Sequence, residues 1–425
     1  MSEAGTRPTV NRIRIRALAI LFGIVFAVFL FRLFRMQVVD NYIYQVRARQ
    51  VSQRSIPVFA ERGRIYDRNY DAPLATNEPS FAVTISPAQL PRERRDEIFE
   101  RLARYLNLSV STLQDRLPAG RLGGYQPIEI ATGIELSTIN RIAENIDELP
   151  SVGWYSKPRR VYPFESLTAH AVGYVGDITP EELQVLYNQG YTASSVLGKS
   201  GIEQVYDQAL RGTDGRRFET VDARGRTIEG KGEVIPPERG HNLVLTIDRN
   251  LQQLVQDALG DRIGSALVLK PNTGEILAMV SYPRFDPNAF WGSHGGQSFR
   301  ELALDTRSPF LNRAIQSVAA PASTFKVLMT TAILEEEAFS PEQTVDCTGS
   351  IDFGNRTFNC WLSCGHGEVN LKEGLAQSCN VFFWTMGVHH LGVDTIIDYC
   401  SRFGLGQSTG IDLPGEVAGL VPSPA

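Results

Sequence analysis

The sequence predicts a multidomain protein of mixed α+β and α/β class carried on a single membrane-spanning helix. Three observations predict it. Residues 17–31 are apolar without interruption. From about residue 80 to 165, short strand-like runs alternate with an amphipathic helical pattern. After a polar, glycine- and proline-containing stretch at 225–240, the composition shifts sharply into a strand, helix and hairpin series. With 425 residues, 43% hydrophobic and 21% charged, the chain is long enough for two or three domains and a large core. Net charge is only −5 and no basic tract follows the N-terminus, which excludes nucleic acid as a partner class.

Taken in order, the apolar run reaches roughly 20 residues once Arg16, Arg32 and Arg35 snorkel, enough to cross a bilayer. Arg7, Arg12, Arg14 and Arg16 precede it, so the positive-inside rule keeps the N-terminus in the cytoplasm and sends the rest outward. A cleaved signal peptide would need small residues where Val28, Phe29, Leu30, Phe31 and Arg32 stand, so the segment reads as an uncleaved signal anchor. Residues 42–54 read as a helix or extended stalk. The charged stretch 61–68 (ERGRIYDR) reads as a short strand with turn signals at Gly63 and Asp67/Asn69 and a solvated charged face. A strand is expected at 81–85. A helix is expected at 92–106, with Ile98, Leu102, Tyr105 and Leu106 on one stripe. His170, beside a glycine turn, reads as a packed or hydrogen-bonded core residue. Asp248 is the expected cap of a helix that follows a strand, and residues 264–281 read as two strands around the turn 271–274.

The chemistry is concentrated at Ser323 and Lys326. At i and i+3 of a helix start, the hydroxyl and the amine share a face. Serine needs an activator for acyl transfer, and burial disfavours the ammonium form of Lys326, leaving a base beside its nucleophile. Backbone N–H groups at the helix start would serve a developing oxyanion. S-x-x-K alone is common in chains of this length and reads as a polar helix start. Ser378-Cys379-Asn380 changes that, because it fits the second element of the S-x-x-K, S-x-N, K-T-G set of penicillin-recognising serine enzymes. Ser378 is then placed to pass a proton to the leaving amine, and Asn380 to hold Lys326 and the substrate amide. Lys199-Ser200-Gly201 has the shape of the third element. It lies upstream of Ser323 and is read as structural.

These motifs, with NRAIQS before the serine, RGRIYDR at 62–68, PLATN at 73–77, HAVGYVG at 170–176, GKSGIEQVYDQALRG at 198–212 and PRFDPN at 283–288, resemble class B penicillin-binding proteins, the peptidoglycan D,D-transpeptidases. One departure is Ala322, where that family usually carries glycine. The resemblance implies a cytoplasmic tail and anchor at 1–38 and a β-rich pedestal of dimerisation type at 39–240, whose head subdomain spans about 80–165. It implies a serine beta-lactamase-like transpeptidase domain at 241–425. It also implies an acyl-enzyme on Ser323 formed from peptidoglycan stem peptides, or from beta-lactam antibiotics, at the outer face of a bacterial inner membrane. The implied partners are a polytopic glycan polymerase and other elongation-complex membrane proteins. No K-T-G follows Ser378, so the chain is expected to stop within its catalytic domain and to be nearly inactive as it stands, since loss of one oxyanion donor costs roughly 100-fold or more.

All five cysteines lie between Cys347 and Cys400. In an extracytoplasmic protein they read as disulfides with one thiol left over, as buried reduced thiols, or as metal ligands. Cys347, Cys360, His366 and Cys379 make a Cys3His set, the chemistry of a structural zinc site. The resemblance favours zinc, because elongation-type penicillin-binding protein 2 carries such a set with a tryptophan after the second ligand and Gly-His-Gly around the histidine, here Trp361 and residues 365–367. Cys364 is the substitute ligand, and Cys400 reads as core. The competing function is a non-catalytic membrane-anchored scaffold or beta-lactam sensor. A sensor would carry cytoplasmic signalling sequence, and only sixteen residues precede Ala17.

Overall fold

The computed structural model describes residues 12–40, 53–117, 127–220, 233–291 and 295–422. Residues 42–52 of the expected stalk, 225–232 of the expected linker, and Arg7 lie outside them. The chain forms two compact units. One draws on residues 1–60, 80–157 and 213–238, the other on 61–79, 158–212 and 239–425.

In the first unit a helix runs over Arg12–Phe34, and the stretch Ile15–Val39 is long and apolar enough to cross a membrane. None of that stretch is buried in the protein, and Phe22, Phe26, Phe29 and Phe31 stand about two-thirds exposed. An all-round apolar helix with no protein partner is stable only where lipid covers it. Elsewhere in the unit a three-stranded antiparallel sheet has Phe81–Ile85 at its centre, between Ile128–Ile134 and Val152–Ser156. The helix Arg95–Leu106 covers this sheet, preceded by a 3-10 turn at Arg92–Arg94, so the expected helix divides in two. Ile98, Phe99, Leu102, Ala103 and Leu106 are buried against Ile139 and Ile142 of the helix Leu136–Glu144. A separate antiparallel sheet has Gly215–Thr220 at its centre, between Gln53–Val58 and Val234–Ile235.

In the second unit Ile65–Tyr66 pairs in parallel with Leu243–Val244 and antiparallel with Pro73–Glu78, which pairs in turn with Arg159–Val161. The solvated face expected for 61–68 is only half right. Arg64 and Arg68 are exposed, but Arg62 and Asp67 are buried. The reason is partners elsewhere in the chain. Arg62 Nε donates to Glu203 Oε2 at 2.6 Å and its Nη2 meets Asp207 at 2.7 Å, while Arg160 Nε donates to the other Glu203 oxygen at 2.7 Å. Asp67 accepts backbone N–H groups from Asn69 and Arg249. Gly63 permits the close approach, since a Cβ there would sit 1.8 Å from His241 O. Lys199 forms an ion pair with Glu182 at 2.5 Å.

Asp248 caps the helix Arg249–Leu259 by accepting from Asn250 and Leu251, and that helix lies beside the hairpin Gly264–Leu269/Ile276–Tyr282. Gln252 ties them together: its side chain donates to Met279 O at 2.7 Å and accepts from Met279 N at 2.8 Å. The remainder combines helices with two short strand pairs, Val345–Cys347 with Gly367–Val369 and Ser350–Phe353 with Arg356–Asn359. Phe325–Glu335 contributes Leu328, Met329, Ala332 and Ile333 to a core shared with Phe382, Phe383, Met386, Tyr399 and Cys400. Cys347, Cys360 and Cys379 line one margin of that core.

Candidate active site and metal centre

Ser323 sits in a 3-10 turn, Ala322–Thr324, and Lys326 in the first turn of the helix Phe325–Glu335. Ser378 ends the turn after the helix Leu371–Ala376, and Asn380 begins the helix Asn380–Thr385. The fold brings all four together. Lys326 Nζ donates to Ser378 O at 2.8 Å, Ser378 Oγ at 3.0 Å and Asn380 Oδ1 at 2.7 Å, and Ser378 Oγ donates to Ser323 Oγ at 2.8 Å. Among the described residues the hydrogen-bonded path between Ser323 and Lys326 runs through Ser378 Oγ. Lys326 is only 8% exposed, with the Phe383 ring 5.7 Å away. Burial pulls its pKa below the ordinary lysine value, against a weaker opposing pull from the Cys360 and Cys379 thiols.

Two backbone positions among these residues are left-handed. Ala322 has φ +50° and Ser378 has φ +53°, both in the left-handed region that costs an L-residue about 1–2 kcal/mol. Ala322 therefore occupies a position where glycine would be unstrained. Such conformations persist when the surroundings over-determine them, and they gather at functional sites.

The four residues of the Cys3His set converge beside these groups. One donor atom from each of Cys347, Cys360, His366 and Cys379 lies within 4.8 Å of the others. All five cysteines are free thiols. His366 Nδ1 stands 3.5 Å from Cys347 Sγ and 3.7 Å from Cys360 Sγ. A tetrahedral ion with bonds of about 2.3 Å to sulfur and about 2.0–2.1 Å to nitrogen places such atoms about 3.6 Å apart, so the donor set fits a metal ion. Gly365, at φ +79°, lets the histidine loop close, since a Cβ there would stand 1.9 Å from Cys347 O. Backbone N–H groups of Asn380, Leu362 and Val381 lower the Cys360 thiol pKa against burial, whereas burial raises that of Cys379. Cys364 is exposed, donating to Gly365 O at 3.8 Å outside the cluster, and Cys400 is buried in the helical core.

Comparison with known proteins agrees with this constellation. Residues 57–245 match the penicillin-binding protein dimerisation domain, and residues 264–425 match the penicillin binding protein transpeptidase domain. The chain is 31% identical to the peptidoglycan D,D-transpeptidase MrdA of Escherichia coli K12, over 96% of this chain and 65% of that protein. It is also 31% identical to MrdA of Salmonella typhimurium LT2, over 98% of this chain and 67% of the relative. The chain belongs to the penicillin-binding protein 2 family. A solved complex between penicillin-binding protein 2 and MreC from Helicobacter pylori has a similar fold, with TM-score 0.75 and 28% identity, covering 87% of this chain and 69% of that one. The chain spans about two-thirds of the length of the curated relatives it matches.

Sequence reasoning passed over two features of this penicillin-binding protein site. The Ser378 bridge was invisible because the distance between Ser323 and Ser378 depends on how two helices pack. Trp361 Nε1 donates to Gln377 O at 3.1 Å, a tie to the residue before Ser378 that no spacing rule announces.

Proposed function

We propose that the full-length protein is a membrane-anchored peptidoglycan D,D-transpeptidase of the cell-elongation type, with modules at 1–38, 39–240 and 241–425. In this reading Ser323 is the nucleophile, Lys326 the base, Ser378 the relay and Asn380 the anchor. The single observation that carries it is the chain Ser323 Oγ–Ser378 Oγ–Lys326 Nζ, with steps of 2.8 and 3.0 Å. An uncharged amine has two N–H donors and one lone pair. Ser378 O and Asn380 Oδ1 can only accept, so they take the two donors, and the lone pair is left to face Ser378 Oγ. The hydroxyl rotors then align so that Ser323 donates to Ser378 and Ser378 donates to Nζ. As Ser323 Oγ forms its bond to the penultimate D-alanyl carbonyl, its proton passes to Ser378 and that of Ser378 passes to Lys326. When the tetrahedral adduct collapses, the C–N bond breaks and the relay runs in reverse, delivering a proton to the leaving D-alanine amine. A neighbouring stem-peptide amine then attacks the acyl-enzyme to form the cross-link, and a beta-lactam acylates the same serine.

Zinc is the metal proposed for Cys347, Cys360, His366 and Cys379. It supplies no chemistry to the acyl transfer in this arrangement; when bound it holds the loop that carries Ser378 and Asn380. The proposed placement is the bacterial inner membrane, with the helix Arg12–Phe34 as anchor, the N-terminus inside and the catalytic domain outside. A membrane protein of the MreC type and a polytopic glycan polymerase are the proposed partners.

Labelling of full-length protein with a fluorescent penicillin tests the enzyme. Wild type is expected to label and Ser323→Ala to stay dark. A folded wild type that does not label sinks the acyl-transfer reading, and a labelled Ser323→Ala removes Ser323 as nucleophile. Metal analysis under non-chelating conditions is expected to give about one zinc per chain. Less than half an equivalent, with cysteines paired in mass spectra, rejects the zinc site.

A further inference from the structure

We propose that Trp361 is a positioning residue for acyl transfer, its indole N–H fixing the peptide plane that aims the Ser378 hydroxyl. The inference rests on the acyl-transfer reading above. Trp361 is 64% exposed, so burial of apolar surface accounts for little of its placement. Its polar edge is nevertheless committed, donating to Gln377 O at 3.1 Å.

That carbonyl and the Ser378 N–H belong to one planar peptide unit. The N–H end is held by Leu375 O at 3.1 Å, so hydrogen bonds pin the plane at both edges. The φ of Ser378 is the rotation of its side-chain-bearing carbon against this plane, and it stands at +53°. A serine resists that conformation. Without the tie at the Gln377 carbonyl, the plane is free to turn and relieve the strain. A turn of some 20–30° moves Oγ by about 1 Å, and misplacement on that scale costs on the order of 100-fold in a positioned reaction.

The tie also links the loop to the metal centre. Trp361 directly follows Cys360, and its ring meets His366 edge-on at 5.3 Å. Asn380 N–H donates to Cys360 Sγ at 3.4 Å, and Cys379 is itself one of the clustered donors. Residues 377, 379 and 380 are thus each fastened to the metal-ligating segments. Ser378 Oγ, by contrast, contacts the nucleophile and the base.

The test is the kinetics of penicillin acylation in full-length protein, separating the limiting acylation rate from the apparent binding constant. Trp361→Phe keeps an aromatic ring against His366 and removes the donor. The limiting rate is expected to fall about 10- to 100-fold, with the binding constant changed by less than about 3-fold and zinc content and Tm unchanged. An unchanged rate overturns the inference, as does a loss fully accounted for by lost zinc. A second measurement uses wild-type protein and holds even if the variant does not fold. With 15N-labelled indoles, the Trp361 N–H is expected to exchange with solvent at least about 10-fold more slowly than a hydrated indole, despite its exposed ring, and unprotected exchange overturns the inference. Wild type that labels while Trp361→Phe is unaffected defeats this inference alone. Wild type that never labels defeats the acyl-transfer reading and this inference with it.

Discussion

Arg62 and Lys326 are equally buried basic residues, each 8% exposed, and the fold treats them in opposite ways. Around Arg62, burial works against the charge, but Glu203 and Asp207 more than offset it and raise the guanidinium pKa above its ordinary value. Glu203 is lowered by the same pairing, with Arg160 and Arg62 overcoming the cost of its burial. Lys326 instead donates to neutral oxygens, with no carboxylate in an ion pair among the described residues, and burial lowers its pKa against the weaker pull of Cys360 and Cys379. A fully compensated cation is a structural clasp that chemistry cannot use. An uncompensated amine in the same degree of burial is a base.

The contrast can be broken at either end. Lys326→Arg puts a permanent cation into the uncompensated socket, and penicillin acylation of full-length protein is expected to fall by at least about 1000-fold, since the lone pair that receives the proton is lost. Glu203→Gln removes the compensation from the clasp. Urea unfolding is expected to show a loss of about 3–5 kcal/mol, while the folded fraction still labels with penicillin. A smaller effect sharpens the comparison through a third base, the half-buried His170. His170 Nε2 donates to Pro309 O at 2.8 Å and the ring packs against Phe285, beside a cavity of about 370 Å³. Burial lowers its pKa from 6.5 to about 4. Between those values the unfolded chain binds more protons, so this contribution to stability is complete above about pH 6.5 and is lost as pH falls toward 4. His170→Gln is expected to flatten that part of the stability–pH curve, measured by thermal unfolding. The smallest effect is Ala322→Gly, which relieves the left-handed strain without touching a charge and is expected to add up to about 1 kcal/mol in the same unfolding assay.

Local patterns were legible wherever the physics is local. The apolar run, the Asp248 cap, the turn at 271–274 and the stripe on residues 95–106 each follow from spacing alone, and S-x-x-K with S-x-N named the four residues that meet. What stayed hidden depended on distant partners. The charged stretch 61–68 has the same letters whether Arg62 faces water or Glu203, 141 residues away. Segment 61–79 clusters with 239–425 because Ile65–Tyr66 finds its parallel neighbour in Leu243–Val244, a pairing with no sequence mark. The Cys3His residues were legible as a chemical set. Their convergence needed a glycine at Gly365 whose role shows only in its φ and its contact with Cys347.

The central claim is that Lys326 works as an uncharged amine because nothing negative enough surrounds it. The pH dependence of the limiting acylation rate by penicillin, measured on full-length protein and on Lys326→Arg, tests it most directly. The rate is expected to climb with pH along an acid limb whose midpoint lies below the ordinary lysine value of 10.5, and the limb is expected to vanish in the variant. A wild-type rate indifferent to pH, or a midpoint at or above 10.5, would contradict the claim.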